Sequence, residues 1–322
     1  MCMENLSTEK NDLCRLLNIR YPIIMAPMFL VSNTKMIKSA IQSGITGAIP
    51  ALNYRTVEAL RDAIREIKEE TSGPFGLNLI VNKSNFLYKE QLQVICEEKV
   101  DFIITSLGSP EATIYKAHQH GIKVFCDVTD VQYAKKVEAL GADAIIAVNK
   151  EAGGHSGTLS FHELIPELQK SCTIPVISAG GVGDYDSYRS IMELGVAGVS
   201  VGTVFIASEE ADVSEDYKQA CVHYGAADIV MTDKLSGSLC TVIKTPYLEK
   251  IGTRQNGLER FLNKNKKVKK WFKAYTFFRG MKRLQNAAFS ATYKTVWCAG
   301  PTIQYVDRIR PVSEIVRTIT HE

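Results

Sequence analysis

The sequence predicts an α/β protein: a parallel (β/α)8 (TIM) barrel with a smaller, mainly helical C-terminal cap subdomain. Short apolar, β-branched runs alternate with amphipathic helical stretches over about 200 residues. The runs are continuously apolar, as expected for parallel strands buried on both faces. Glycines and polar residues gather where each run ends, at the edge on which barrel enzymes build their sites. An open doubly wound sheet is the alternative fold.

The predicted elements follow a regular order. Strands are predicted at 22–28, 47–51, 75–81, 102–107, 123–128, 144–148, 175–178 and 198–206. Apolar residues at helical spacing predict helices at 56–70, 88–98, 112–120, 131–140, 185–194 and 312–319. Gly121, Gly141 and Gly195 stand where a glycine commonly ends a helix. The pattern predicts a barrel over 1–225, a basic helical cap over 226–290 and a segment over 291–322 that returns to the barrel.

Composition narrows the class of protein. The chain has 322 residues, of which 45% are hydrophobic, enough for a large core. Its net charge of +3 is too small to indicate nucleic-acid binding. The eight cysteines form no CxxC pair and no secretory signal is recognisable, so we expect reduced thiols and a cytoplasmic enzyme. No transmembrane segment is predicted, and a homodimer is a general expectation for soluble enzymes.

Glycine-rich turns follow the last three predicted strands. Residues 151–157 read Glu-Ala-Gly-Gly-His-Ser-Gly after the sixth strand, Gly180 and Gly181 follow the seventh, and Gly202 and Thr203 lie in the eighth. Glycine lets the backbone approach an anion, and consecutive N–H groups can then bind it. In barrels, the loops after strands seven and eight commonly hold phosphate. The sequence therefore predicts a phosphorylated cofactor at this edge.

His155 is the titratable side chain within the first of these turns. Histidine exchanges a proton near neutral pH, so it is a candidate base or proton donor, with a purely structural role in the loop as the alternative. His118 and His120 lie two apart on a predicted helix, hence on different faces, and no third ligand is suggested nearby. We therefore predict no metal site. Cys126 and Asp127 end the fifth strand and are expected to line the pocket.

Several short motifs resemble one known family. In chain order they lie at 22–28 (PIIMAPM), 76–79 (GLNL), 106–110 (SLGSP), 151–155 (EAGGH), 179–181 (AGG) and 202–205 (GTVF). They are similar to the nitronate monooxygenases, formerly called 2-nitropropane dioxygenases. The FMN-dependent enoyl-acyl-carrier-protein reductases and NADH-dependent quinone reductases belong to the same superfamily. The resemblance spans nearly the whole chain and fades in the predicted cap.

The resemblance implies an FMN-containing barrel and a set of site residues. Ala26, Pro27 and Met28 would lie along the flavin ring, Asn78 would hydrogen-bond it, Gly153 and Gly154 would run beneath it, and Gly180, Gly181, Gly202 and Thr203 would hold the ribityl phosphate, with Ser200 also among the cofactor-binding residues. His155 would face the substrate. The chain departs from the usual family pattern at Val148, Ser200 and Pro301, where side-chain amides near the flavin are lost, and at Asn149, where the family usually has glycine.

The function that this resemblance favours is an FMN-dependent oxidoreductase that oxidises alkyl nitronates with O2, with His155 as base. One alternative is an NAD(P)H-dependent enoyl-acyl-carrier-protein or quinone reductase, in which NADH or NADPH is a transient co-substrate. No dinucleotide-binding GxGxxG motif follows an early strand, so a nicotinamide would visit the open face of the flavin. Further alternatives are a flavin-free lyase or isomerase acting on a phosphorylated metabolite and a flavoprotein that acts only as a binding module.

A basic segment lies in the predicted cap. Residues 264–283 hold nine basic residues and no acidic one, interleaved with aromatic residues. The aromatic side chains are expected to pack the cap. If the basic face is functional, it would meet an acidic carrier protein, a coenzyme phosphate or an anionic surface.

Overall fold

The strands form a closed parallel barrel and a small additional sheet. The computed structural model describes residues 12–83, 85–233, 239–254 and 296–322. The strands up to residue 201 are β1 (Ile23–Met25), β2 (Thr46–Pro50), β3 (Gly76–Ile80), β4 (Phe102–Ser106), β5 (Lys123–Val128), β6 (Ala144–Val148), β7 (Gly154–His155), β8 (Val176–Ala179) and β9 (Gly198–Val201). All of these except β7 close the barrel in chain order, with β1 pairing both β2 and β9. The predicted barrel and its eight strands are confirmed.

Helices cover the outside of the barrel. They are α1 (Asp12–Leu17), α2 (Thr34–Gln42), α3 (Val57–Glu70), α4 (Tyr88–Glu97), α5 (Glu111–His118), α6 (Val131–Ala139), α7 (Phe161–Ser171), α8 (Tyr185–Met192), α9 (Glu215–His223), α10 (Pro246–Ile251) and α11 (Val312–Thr320). Six of them match the predicted helices. Thr56 begins α3 by accepting a hydrogen bond from the Ala59 N–H at 3.2 Å. The eighth predicted strand is shorter than expected, because the chain turns into a 3-10 helix at Thr203.

The barrel interior is filled with apolar side chains. Phe102 and Phe125 stack with ring centroids 5.1 Å apart, and both are fully buried. A Cβ at Gly76 would lie 2.3 Å from the Phe102 ring, so glycine makes room for that ring. Leu13 of α1 packs in the same cluster and lies against the start of β9. Helix α1 thus closes the amino-terminal end, which leaves the carboxyl ends of the strands for a ligand.

A small antiparallel sheet joins the region after the barrel to the β6–α7 loop. Strands β10 (Ile229–Thr232) and β11 (Cys240–Ile243) pair with each other, and β11 also pairs with β7. We did not predict these strands in the cap. The basic segment at 264–283 lies outside the described residues, so the division into 1–225, 226–290 and 291–322 stays a prediction.

The C-terminal segment packs on the barrel. Cys298 bridges to Val242 of β11, and the fully buried Trp297 stacks on Tyr217 with ring centroids 5.4 Å apart. Helix α11 packs against α2 and α8. The last residues of the chain therefore contact both the small sheet and the outer helices.

Candidate active site

A cavity of about 750 Å³ opens at the carboxyl ends of the barrel strands. All of the predicted catalytic and cofactor-binding residues line this cavity: Ala26, Pro27, Met28, Asn78, Gly153, Gly154, His155, Gly180, Gly181, Ser200, Gly202 and Thr203. Asp127 lines it too, but the expectation for Cys126 was wrong, because its thiol is fully buried and accepts a hydrogen bond from Thr105 instead. The residues that line the cavity come from strands that are distant in sequence. The closed barrel brings them together, as the order of the motifs along the chain predicts.

Glycines form one wall of the cavity, which we call the glycine rim (Gly153, Gly154, Gly180, Gly181 and Gly202). Gly180 and Gly181 have φ values of +105° and +95°, which side chains rarely adopt. A Cβ at Gly180 would lie 2.4 Å from both the Ala152 backbone nitrogen and the Asn149 Oδ1. The loops after β6 and β8 can therefore pack this closely only because residue 180 is glycine.

Asn149 joins the two loops of the glycine rim. Its side chain is fully buried, its Nδ2 donates to the Gly180 carbonyl at 3.1 Å, and its Oδ1 accepts from the Glu151 N–H at 2.9 Å. This residue is one of the departures from the family pattern. Its amide is used to hold the β6 loop against the β8 loop.

The loop that carries His155 is held from outside the barrel. In the β7–β11 pair, His155 faces Cys240 and Gly154 faces Thr241. The Thr241 hydroxyl donates to the Ala152 carbonyl at 2.6 Å. Sequence reasoning missed this support, because a two-residue strand has no readable alternation and its partner lies about ninety residues later in the chain.

The C-terminal segment completes the same wall. The Gly300 N–H donates to the Thr203 Oγ1 at 2.9 Å, and the Tyr217 hydroxyl donates to the Cys298 carbonyl at 2.5 Å. A Cβ on Gly300 would lie 2.5 Å from the Glu151 carbonyl oxygen. Trp297 and Cys298 also line the cavity, and their sequence motif alone did not indicate this position.

The His155 ring faces the cavity while protein atoms surround much of it. Burial disfavours the charged imidazolium and lowers the pKa of His155 below its ordinary value of 6.5. The ring is therefore mainly neutral at pH 7 and can accept a proton. This is the protonation state that a catalytic base requires.

Polar side chains form another wall at the ends of β3, β4 and β5, which we call the side-chain rim (Asn78, Ser106 and Asp127). The Asn78 Nδ2 donates to the Ser106 Oγ at 2.7 Å, and the Ser106 hydroxyl donates to the Asp127 Oδ2 at 2.5 Å. Burial raises the pKa of Asp127 to about 6, and the bond from Ser106 opposes that rise. The Asp127 carboxyl therefore ionises well above the ordinary range of an aspartate.

Two other candidates occupy different surroundings. Burial raises the pKa of Glu151, whose Oε2 is buried without a hydrogen-bond partner. His118 lies on the outer surface, where its Nε2 is 2.9 Å from the Asp143 Oδ2. Within the described ranges, no cluster of three or more His, Cys, Asp or Glu side chains is arranged to hold a metal ion.

Known proteins provide the family assignment. The sequence matches the nitronate monooxygenase family model over residues 10–88 and 83–322. The chain belongs to the nitronate monooxygenase family. A probable nitronate monooxygenase of Staphylococcus aureus strain JH9 is 29% identical over 287 residues, which covers 76% of this chain and 81% of that protein. This membership confirms the expectation of an enzyme and, in general terms, of a flavin-dependent oxidoreductase.

Two further similar proteins carry names other than nitronate monooxygenase. A Rhodococcus jostii strain RHA1 protein named (3aS,4S,5R,7aS)-5-hydroxy-7a-methyl-1-oxo-octahydro-1H-indene-4-carboxyl-CoA dehydrogenase is 27% identical over 246 residues, covering 76% of this chain and 69% of its own. The solved structure of FabK from Thermotoga maritima is 29% identical, with a TM-score of 0.84, and the match covers 97% of this chain and 95% of that one. The barrel and its appended segments thus recur together in a related structure.

Within the part of the chain that the structure describes, no helix is both long and apolar enough to cross a bilayer.

Proposed function

We propose that the protein is an FMN-dependent oxidoreductase that oxidises alkyl nitronates with O2. One observation carries the proposal: the cavity places the imidazole of His155 beside a wall of glycine loops, with all of the expected cofactor-binding residues around the same space. Similarity to a probable nitronate monooxygenase supports the choice of substrate.

The residues of the cavity fit FMN. A volume of about 750 Å³ lies within the range of roughly 300–1,000 Å³ that is typical of sites for small-molecule cofactors. The backbones of Gly180, Gly181, Gly202 and Thr203, with Ser200 beside them, would hold the phosphate, because glycine loops let N–H groups approach an anion. A Cβ at Gly154 would meet no atom within 4 Å, so this glycine leaves open space where a flat ring can lie. When bound, FMN would supply the electron-transfer chemistry.

The remaining contacts would orient the ring. Asn78 uses its Nδ2 for the Ile104 carbonyl and the Ser106 Oγ, which leaves Oδ1 as the acceptor for a ligand N–H group. Ala26, Pro27 and Met28 would lie along the ring on the β1 side of the cavity. Neutral His155 would take the proton from the carbon bound to nitrogen of a neutral nitroalkane and so form the nitronate, whereas a nitronate that enters as such has already lost this proton.

A second function uses the same cavity. An NAD(P)H-dependent reduction of an enoyl thioester or a quinone would also need FMN and a proton-handling group. The relative from Rhodococcus jostii, whose name specifies a carboxyl-CoA dehydrogenase, supports the thioester variant. In that reaction His155 would protonate the product or orient the acceptor, and NADH or NADPH would enter by the open side of the cavity.

Anaerobic mixing of the purified protein with candidate reductants tests these proposals. The protein should be yellow or become yellow with added FMN, and ethylnitronate should bleach the flavin absorption while NADH and NADPH leave it unchanged. Rapid bleaching by a nicotinamide would instead establish the reductase. A folded, colourless protein that does not bind FMN would favour a flavin-free lyase or isomerase. A yellow protein that none of these reductants bleaches would favour a binding module.

Partners outside the cavity rest on the sequence alone. We propose that the basic segment at 264–283 binds an acidic carrier protein or an anionic surface and that the enzyme acts in the cytoplasm as a homodimer. Salt-dependent binding to an acidic carrier would test the role of the basic segment, a sedimentation measurement of mass would test the homodimer, and cell fractionation would test the location.

A further inference from the structure

The side-chain rim contains an acid that the proposed reaction does not yet use. Asp127 lies at the end of β5 and lines the cavity together with Ser106 and Asn78. An acidic group in the cavity wall opposes the binding of an anion if it stays ionised. The hydrogen bonds that join Asp127 to Ser106 and Ser106 to Asn78 indicate how the cavity could still accept an anion.

The direction of each hydrogen bond in the side-chain rim is fixed by its neighbours. The Asn78 Nδ2 donates both to the Ile104 carbonyl at 3.2 Å and to the Ser106 Oγ at 2.7 Å. A backbone carbonyl cannot donate, so this contact keeps the amide nitrogen of Asn78 turned toward Ser106. The Ser106 oxygen therefore accepts from Asn78, and its own hydrogen is donated to the Asp127 Oδ2.

Protonation of Asp127 changes what Ser106 presents to the cavity. An ionised Asp127 can only accept, so it holds the Ser106 hydrogen. A protonated Asp127 can donate to the Ser106 oxygen instead. Because Asn78 keeps its orientation, the Ser106 hydrogen is then released from Asp127 and can be donated to a ligand in the cavity.

Other titratable groups lie around Asp127. Tyr133 of α6 is close enough that the Asp127 charge contributes to raising the pKa of the tyrosine, and Asp127 has the same effect on Cys126 beside it on β5. The further ionisable groups that line the cavity are Asp130, Lys136, Glu151, His155, Tyr217, Cys240 and Cys298. Of these, His155 would also favour anions as it gains a proton, so any test has to separate it from Asp127.

We propose that Ser106 and Asp127 form an oxyanion-binding pair, in which Asp127 takes up a proton when an anionic ligand enters and Ser106 donates a hydrogen bond to it. The pair selects ligands whose reacting carbon is conjugated to a negatively charged oxygen, as in a nitronate or an enolate. Binding adds one proton from solvent to the Asp127 carboxylate, and no bond of the ligand breaks. This assignment rests on the proposed function, because it concerns the substrate of the same cavity.

Binding of propanoate to the FMN-loaded protein tests the pair without turnover. Propanoate is planar and anionic like ethylnitronate but cannot be oxidised by this chemistry. Because Asp127 ionises near pH 6, the Kd of propanoate should rise about tenfold per pH unit above pH 6. Calorimetry in buffers of different ionisation enthalpy should show uptake of about one proton per propanoate at pH 8.

Variants separate Asp127 from the other groups. Asp127→Asn should abolish the proton uptake and bind propanoate roughly ten- to a hundredfold more tightly than wild type at pH 8, since the charge is gone. Asp130→Asn removes an acid from the same cavity wall without entering the hydrogen-bond chain and should keep the wild-type pH dependence. His155→Phe should also keep the wild-type pH dependence of propanoate binding. Proton uptake that persists in Asp127→Asn, uptake that disappears in His155→Phe, or no propanoate binding at pH 6 would overturn the proposal.

Ser106→Ala checks the donor itself. Without its hydroxyl, the pKa of Asp127 should rise further, because the bond that stabilises the carboxylate is removed. Carbon-13 NMR of the aspartate carboxyl groups can follow this change in the protein whether or not a substrate is known. Propanoate binding at pH 6 should weaken about tenfold when the donor is lost. An unchanged Asp127 pKa, or unchanged propanoate affinity, contradicts the pair.

Two substrates distinguish the sources of the oxyanion. The pH dependence of kcat/KM is compared between wild type and Asp127→Asn, with ethylnitronate and with crotonyl-CoA plus NADPH. The substrate whose pH dependence changes in the variant supplies the oxyanion, and unchanged profiles with both overturn the pair. Failure of the proposed function is recognised separately, by absence of FMN binding or of flavin reduction in the wild-type protein.

Discussion

The two walls of the cavity are built in different ways. The glycine rim presents backbone and depends on the absence of side chains, since a Cβ at Gly180 would lie 2.4 Å from its neighbours. The side-chain rim presents an amide, a hydroxyl and a carboxyl in a hydrogen-bonded row. In the proposed function the glycine rim would hold the phosphate of the cofactor by backbone alone. The side-chain rim would serve both ligands, because Asn78 would contact the flavin while Ser106 and Asp127 would contact the substrate.

The strongest test of this comparison is His155, which extends from the glycine rim. With nitroethane, whose α-proton the base must remove, His155→Phe should lower kcat about 10²- to 10⁴-fold, while FMN affinity stays unchanged. His118→Phe removes an imidazole from the outer surface and should keep full turnover. In wild type, kcat should rise with pH through a pKa below 6.5, since the base must be neutral, and this limb should vanish in the variant. Steady-state kinetics of both variants would decide the matter, and full activity of His155→Phe would remove its assigned role.

Adding one methyl group should damage the glycine rim. Gly180→Ala combines a φ of +105° with contacts at 2.4 Å, so we expect it to lower the free energy of unfolding by about 3 kcal/mol and to weaken FMN binding. Gly121→Ala has a φ of +72° and no atom within 4 Å of the new Cβ, so it should lose about 1 kcal/mol and bind FMN normally. Urea unfolding and FMN titration measure both quantities. Equal effects of the two substitutions would mean that close packing of the loops is unimportant.

Replacement of Asp127 should stabilise the folded protein. The pKa of the Asp127 carboxyl rises from 3.8 to about 6 on folding. Its ionisation therefore makes the free energy of unfolding about 3 kcal/mol lower above pH 6 than it is when the carboxyl is protonated in both states. That stability is present below about pH 4 and is lost as the pH rises to 6. Asp127→Asn should therefore raise the free energy of unfolding by about 1–3 kcal/mol at pH 8, with no gain at pH 4. Urea unfolding at the two pH values checks this, and a loss of stability at pH 8 would contradict the raised pKa.

The smallest effect is expected for the support of the His155 loop. Thr241→Val removes a hydroxyl that donates to the Ala152 carbonyl at 2.6 Å and should lower the free energy of unfolding by about 1–2 kcal/mol. Thr46→Val removes an equally buried hydroxyl that donates to the Pro74 carbonyl at 2.6 Å, at the start of β2, and should lose a similar amount. Only Thr241→Val should also reduce kcat. If the two variants keep the same kcat, the bond to Ala152 does not position His155.

The same comparison explains what could be predicted from the sequence. The glycine rim was readable because the order of the strands placed the glycine pairs together at one edge of the barrel, although each pair alone indicates no more than a tight turn. The eight strands were readable for a similar reason, as continuous apolar runs. Asp127 was expected in the pocket, but its bonds to Ser106 and Asn78 depend on the register of β3, β4 and β5, which no local pattern encodes.

Three other features of the structure were not predicted from the sequence, each for its own reason. The pairing of β7 with β11 joins residues about ninety positions apart, and two residues of strand carry no periodicity. Helix α7 contains Pro166, which interrupts a helical pattern, and it was not predicted either. Asn149 could be recognised from the sequence only as a replacement of the family's usual glycine, and its use as a bridge between two loops becomes visible only once Gly180 is in place.

Under the role proposed for His155, the attachment of β7 to β11 means that the barrel is not by itself the catalytic unit. A chain cut after β9 would retain every parallel strand and the glycine pairs, yet the backbone at His155 would lose its strand partner at Cys240. Substitutions in the β10–β11 hairpin could therefore change the reaction without changing the fold, because the hairpin pairs with β7 and with no strand of the barrel.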